Sequence, residues 1–81
     1  MRLAWIVDDD DEMAHAVRLM LELLDFEVSA YRHARAAAEK LLQGQRPDVM
    51  ILDINMPEVT GMDMLEFLRR RTELKDLPVI M

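Results

Sequence analysis

Residues 49–57 read VMILDINMP, so that four apolar residues are followed by Asp53 and then at once by Ile54-Asn55-Met56-Pro57, where a loop is expected to begin. A continuous apolar stretch of this length is typical of a strand that is buried on both faces of a sheet. Parallel α/β sheets keep their chemistry where such strands end and loops begin. The segment therefore predicts a buried parallel strand with one carboxylate at its carboxyl end.

A second apolar run, from Leu3 to Val7, also ends in carboxylates, at Asp8 and Asp9. If the two strands are neighbours, they bring three acids to one edge of the sheet. Carboxylates about 4 Å apart repel each other by roughly 4 kcal/mol at an effective dielectric constant of about 20, so some of them should have raised pKa values without a cation. The alternative for residues 8–12 is a solvated acidic cap at the start of a helix.

Helical and strand periodicities alternate along the chain. Helices are predicted at residues 12–24, 33–43 and 62–71, and strands at residues 3–7, 27–31, 49–53 and 77–81. Gly44 is the expected end of the second helix, and Asp10 and Asp11 favour the start of the first. The order β-α-β-α-β-α-β predicts an α/β fold with a parallel sheet, right-handed crossovers and helices on both faces.

One stripe of the first predicted helix is apolar at intervals of three or four residues. Its members are Met13, Val17, Leu21 and Leu24. Such a stripe is expected to face the sheet. Trp5 lies within the first apolar run and is expected in the core. His15 and His33 fall within predicted helices at spacings that match no zinc site, so both are expected at the surface or partly buried.

The composition indicates one small globular domain. The chain has 81 residues, 52% of them apolar and 32% charged, and a domain of this size supports only a modest core. A net charge of −6 argues against nucleic acid or an anionic membrane as a direct partner. No cysteine occurs, which excludes disulfides and thiolate metal sites. No apolar run approaches the length of a membrane helix, and the expected location is the cytoplasm.

Several segments together resemble the receiver domain of two-component response regulators. They are IVDDD at residues 6–10, PDVMILD at 47–53, NMP at 55–57 with Gly61 beyond it, and LPVIM at 77–81. The resemblance implies a flavodoxin-like sheet of order 2-1-3-4. It also implies that residues 1–81 are a single truncated receiver domain, which lacks the fifth strand and the last two helices of a full receiver.

The resemblance also assigns the site. Asp53 would accept a phosphoryl group from a histidine kinase or phosphotransfer protein, and the domain would be a signalling module rather than an enzyme. Asp9 would hold Mg²⁺ directly, Asp8 largely through water and Asn55 through its backbone carbonyl, with Asp53 completing the metal site. A carboxylate attacks an anionic phosphoryl group poorly unless a cation screens the repulsion, which is independent chemical support for the metal.

Two further positions of the family pattern concern the loop after Asp53. Pro57 and Gly61 are expected to shape its backbone. Thr60 occupies a position at which the family more often has an acidic residue. We expect this difference to matter little. By this resemblance, the chain ends at Met81 before the family's switch Ser or Thr and catalytic Lys are expected, and Lys40 and Lys75 do not substitute for that Lys because neither lies at a predicted strand end.

Two alternative functions and one prediction about assembly also follow from the sequence. The chain could be a degenerate receiver that serves only for docking or dimerisation. The apolar fourth strand, at residues 77–81, would form an edge that pairs with a second copy, giving a homo-oligomer that also buries part of the third helix. Asp8 and Asp10 could instead be the Asp-x-Asp pair of a phosphohydrolase, although this leaves Asp53 and the NMP segment unexplained.

Overall fold

The protein forms a parallel sheet with its strands, numbered along the chain, in the order 2-1-3-4, as predicted. The computed structural model describes residues 1–56 and 58–81. In these ranges the strands are β1 (Arg2–Val7), β2 (Phe26–Tyr31), β3 (Val49–Leu52) and β4 (Val79–Ile80), and the helices are α1 (Asp11–Leu23), α2 (Ala34–Leu42) and α3 (Gly61–Arg70). None of these helices has the length and apolarity needed to cross a bilayer.

Strand β1 lies between β2 and β3, and its register aligns the ends of the three strands. Val7 is level with Tyr31 of β2 and with Leu52 of β3. The pairing continues for one residue beyond each strand, because Asp8 N–H donates to Tyr31 O at 3.0 Å and Asp53 N–H donates to Val7 O at 2.9 Å. The residues that follow β1 and β3 therefore leave the sheet side by side.

The main core lies between the sheet and the pair of helices α2 and α3. Successive strand residues point to opposite faces, and this face carries Trp5 and Val7 of β1 with Met50 and Leu52 of β3. The helices contribute buried side chains, which are Ala34, Ala37, Leu41, Met64 and Leu68. Trp5 is buried as expected and contacts Tyr31 edge to face.

Helix α1 packs on the opposite face, over β1 and β2, which confirms helices on both sides of the sheet. The predicted buried stripe is wrong at its two ends. Met13 and Leu24 are 54% and 68% exposed, whereas Ala14 is the buried residue of the helix. The periodicity located the helix but not its inward direction, because α1 has apolar side chains over about half of its circumference and the sheet covers only part of that arc.

The fourth strand is shorter than predicted. Its described length is two residues, Val79–Ile80, paired with Met50 and Ile51 of β3. Leu77 is buried but belongs to the turn after α3, where its N–H donates to Leu74 O. Arg69 stabilises the same turn by donating to the carbonyls of Lys75 and Leu77, at 2.7 and 3.0 Å. The apolar run thus begins with a buried turn residue, and its later residues Val79 and Ile80 join the sheet.

Helix α2 ends as the sequence predicts. Gln43 is its C-cap, and Gly44 follows with φ +93°, a left-handed conformation that residues with a Cβ rarely adopt. Gly44 N–H donates to Leu41 O and Gln45 N–H donates to Lys40 O, so the last turn keeps its hydrogen bonds.

Neighbouring leucines of α2 provide a matched test of the core. Leu41 is 1% exposed and Leu42 is 57% exposed. We expect Leu41→Ala to lower the free energy of unfolding by about 2–5 kcal/mol, because it leaves a cavity in the core. Leu42→Ala should change it by no more than about 0.5 kcal/mol. Thermal unfolding followed by circular dichroism measures both; equal losses would contradict the placement of α2.

Candidate functional site

Three carboxylates meet at the carboxyl edge of the sheet. Asp8 and Asp9 follow β1, and Asp53 follows β3. One oxygen of each lies within 4.8 Å of the others, and all three residues are partly buried. We call Asp8, Asp9 and Asp53 the acidic pocket. The structure thus brings together the three acids that the sequence placed at one edge.

Asp8 shows the electrostatic consequence of this arrangement. Burial raises the pKa of its carboxyl group, and the negative charges of Asp53, Asp10 and Asp9 raise it further. The Asp10 N–H, which donates to Asp8 Oδ1 at 2.9 Å, opposes that rise in pKa. The expectation of a raised pKa in this cluster is confirmed for Asp8, with burial as the largest single cause of the rise.

The other acids of the run 8–12 have different partners. Asp10 is the N-cap of α1, and its Oδ1 accepts from the backbone N–H groups of Glu12 and Met13 at 3.0 and 3.1 Å. Asp11 forms an exposed ion pair with Arg32 at 3.4 Å. The capping role expected for the start of α1 is therefore filled by Asp10. This geometry disfavours an Asp-x-Asp pair, because the Asp10 carboxylate is engaged by the helix.

Backbone hydrogen bonds hold the loop after β3 close to Asp53. Asn55 N–H donates to Asp53 Oδ1 at 3.3 Å, and Gly61 N–H donates to Ile54 O at 3.1 Å. A Cβ on Gly61 would overlap Asp53 O and lie 2.8 Å from Ile54 Cα, so only glycine permits this approach. Met56 is buried and anchors the loop in the core. Pro57, the other residue expected to shape the loop, lies outside the described residues.

Helix α3 begins with a capping box that sequence reasoning missed. Thr60 Oγ1 accepts from Asp63 N–H at 3.2 Å, and Asp63 Oδ2 accepts from Thr60 N–H at 3.1 Å. The spacing of a hydroxyl residue and an acid three positions later was a detectable signal. Glu58, in the same loop, has φ +65° without being glycine, and no sequence signal indicates it.

The donor set of the acidic pocket suits a hard divalent cation. Mg²⁺ prefers oxygen ligands and takes one or two protein carboxylates, with other positions left for water or phosphate oxygens. The backbone carbonyl of Asn55 stays a predicted ligand. The two histidines are not part of the acidic pocket. His15 is exposed on α1, and His33 is exposed just before α2.

The basic residues of the described ranges do not pair with the pocket. The ion pairs found there are Arg32–Asp11, Arg70–Glu66 and Arg71–Glu73. Lys40 lies in α2, and Lys75 lies in the turn between α3 and β4. Neither lysine is at the end of a strand, in agreement with the sequence analysis.

Comparison with known proteins gives the family. The sequence matches the family model of the response regulator receiver domain over residues 4–81. The chain belongs to this family. The receiver domain is 35% identical over 77 residues to the chemotaxis protein CheY1 of Helicobacter pylori, covering 94% of this chain and 62% of that protein. It is 37% identical over 76 residues to the phosphate regulon transcriptional regulatory protein PhoB of Rhizobium meliloti, covering 94% of this chain and 33% of PhoB.

Solved structures agree with this receiver fold. The chain superposes with a TM-score of 0.90 on the signal receiver domain of a histidine kinase from Syntrophus aciditrophicus, at 29% identity. That match covers 98% of this chain and 59% of the other. The chemotaxis protein CheY4 of Vibrio cholerae gives a TM-score of 0.83 at 31% identity, with 98% and 65% covered. The receiver domain described here therefore spans less than two thirds of the length of these relatives.

A cation in the acidic pocket should stabilise the fold. We expect millimolar Mg²⁺ to raise the melting temperature, because a ligand that binds only the folded state shifts unfolding by mass action. Asp9→Asn and Asp53→Asn should each abolish most of this shift, whereas Asp25→Asn, an exposed acid after α1, should preserve it. Differential scanning calorimetry measures the shift; an unchanged melting temperature of the unsubstituted chain would count against the metal site.

Proposed function

We propose that residues 1–81 act as the phosphoacceptor module of a two-component phosphorelay. Asp53 accepts a phosphoryl group from a histidine kinase or phosphotransfer protein, and Mg²⁺ is held by Asp8, Asp9, Asp53 and the carbonyl of Asn55. The observation that carries the proposal is the meeting of three carboxylates within 4.8 Å at the carboxyl edge of the sheet. Membership of the receiver family supports the same role.

Two hydrogen bonds support the role of Asp53 as the nucleophile. Its backbone is fixed by the hydrogen bond to Val7 O, and Asn55 N–H orients its side chain through Oδ1. Among the described residues, Oδ2 accepts no hydrogen bond. In the transfer, a carboxylate oxygen of Asp53 bonds to phosphorus while the phosphorus–nitrogen bond of the donor phosphohistidine breaks and its electron pair returns to the imidazole. Mg²⁺ would screen the repulsion between the two anions.

The proposed role is signalling in the cytoplasm rather than catalysis. Receiver-type sequence also occurs in relatives with enzymatic names, such as the protein-glutamate methylesterase/protein-glutamine glutaminase 1 of Dechloromonas aromatica. This chain covers 21% of that relative at 36% identity. The matched part is thus a minor segment of the larger protein, and we assign the chain no enzymatic activity of its own.

A second candidate role is self-association through the edge of the sheet. Ile80 of β4 is 58% exposed, and Ile51, its neighbour on β3, is only partly buried on the same face. β4 pairs with β3 on one side, and its other side is an open strand edge among the described residues. Open apolar edges tend to pair with a second chain. We infer a homodimer formed along β4.

Phosphoacceptor activity can be tested with a small-molecule donor. After incubation with acetyl phosphate and Mg²⁺, intact-mass spectrometry should show one phosphoryl adduct, and mild base should remove it because acyl phosphates hydrolyse readily. Asp53→Asn should carry no adduct, whereas Asp48→Asn, before β3, should be modified normally. A folded chain that gains no adduct would contradict the phosphoacceptor role and favour the docking module.

Self-association has a separate test. We expect sedimentation velocity to show a dimer at high protein concentration and Ile80→Lys to shift the equilibrium to monomer, because a charge on an edge strand opposes pairing. Leu23→Lys, an exposed position on α1, is the matched control and should leave the dimer intact. A chain that stays monomeric at all concentrations would refute the edge-pairing model.

A further inference from the structure

The acidic pocket is built on two segments that are held in different ways. Asp8 and Asp9 are fixed between β1 and the cap of α1. Asp53, in contrast, is paired with β1 through its N–H but begins the segment that leads to α3, so the direction of its side chain and the position of Asn55 depend on how this segment is held at its far end. That far end is the first turn of α3.

The first turn of α3 is attached directly to the backbone next to Asp53. Gly61 N–H donates to Ile54 O at 3.1 Å, and the missing Cβ of Gly61 allows its backbone to rest against Asp53 O. Thr60 and Asp63 close the turn by two reciprocal hydrogen bonds of 3.2 and 3.1 Å. A continuous set of contacts therefore joins the capping box to the peptide that carries the phosphoacceptor carboxylate.

We propose that Thr60 and Asp63 are positioning residues for the metal site, because their capping box holds the loop in the conformation that places Asp53 and Asn55 around the cation. The inference rests on the proposed Mg²⁺ site and extends it to two residues outside the acidic pocket. Neither side chain belongs to the three-acid cluster, so neither is needed as a ligand.

The energetic reason is preorganisation. A loop that is already ordered loses less conformational entropy when its carboxylate and carbonyl converge on a cation. Without the capping box, the backbone of Gly61 is no longer held at the start of a helix. It can then adopt other positions relative to Ile54 and Asp53. The cost should appear as a weaker affinity for Mg²⁺, even in a chain that is fully folded.

The test is titration calorimetry with Mg²⁺, at a temperature well below the melting transition of each variant. Thr60→Ala and Asp63→Ala should each weaken binding by roughly tenfold, the lower end of the range for residues that orient metal ligands. Thr60→Ser keeps the hydroxyl, and Asp63→Asn keeps an oxygen that accepts from Thr60 N–H. Both should bind nearly as tightly as the unsubstituted chain.

The charge control comes from the same helix. Glu66 is exposed, lies one turn after Asp63 and pairs with Arg70, so Glu66→Gln removes one negative charge without touching the loop. Its affinity for Mg²⁺ should be unchanged. If Asp63→Asn weakens binding as much as Asp63→Ala, the effect is one of charge and the inference is wrong.

The outcomes also separate this inference from the proposed function. If the unsubstituted chain gives no binding signal, the Mg²⁺ site itself is refuted. If it binds Mg²⁺ and both alanine variants bind equally well, the site stands and the positioning role is overturned. Should Thr60→Ala fail to fold, as judged by circular dichroism, the comparison of Asp63→Ala with Asp63→Asn decides the question alone.

Discussion

The hydrogen bond from Asp53 N–H to Val7 O is the constraint on which the site depends. It extends the pairing of β1 and β3 by one residue and sets Asp8 and Asp53 at the same level of the sheet. A shift of one residue in this register would turn the buried side chains of β3 to the other face. The burial of Met50 and Leu52 therefore fixes the position of Asp53 as well as the core.

Much of this arrangement could be predicted, because it follows from local patterns. The apolar runs located the strands, the alternation of periodicities gave the parallel order, and acids at two strand ends gave the pocket. The side of α1 that faces the sheet could not be predicted in the same way. The apolar side of this helix is wider than the surface that the sheet covers, so the sequence does not show which apolar residues are buried. The length of β4 was also predicted wrongly. Leu77 is buried in a turn, and a buried turn residue is apolar just as a buried strand residue is.

The candidate site could likewise be predicted only in part. The sequence identified the clustered acids, but it did not distinguish the roles of the acids within residues 8–12. Asp8, Asp9 and Asp10 are the same residue type, and Asp10 takes a different role because its carboxylate accepts from the N–H groups at the start of α1. The left-handed backbone of Glu58 is likewise set by the closure of the loop and not by its residue type.

The uneven covering of the sheet makes the acidic pocket depend on a weakly held helix. The face under α2 and α3 holds the main core, whereas Ala14 is the one buried residue of α1, so α1 should be among the first elements to open locally. Asp10 connects the pocket to this helix, since its N–H donates to Asp8 Oδ1 while its side chain caps α1. Local opening of α1 would therefore loosen the hydrogen bond that orients Asp8. The geometry of the pocket thus depends on a helix that supplies none of the three carboxylates.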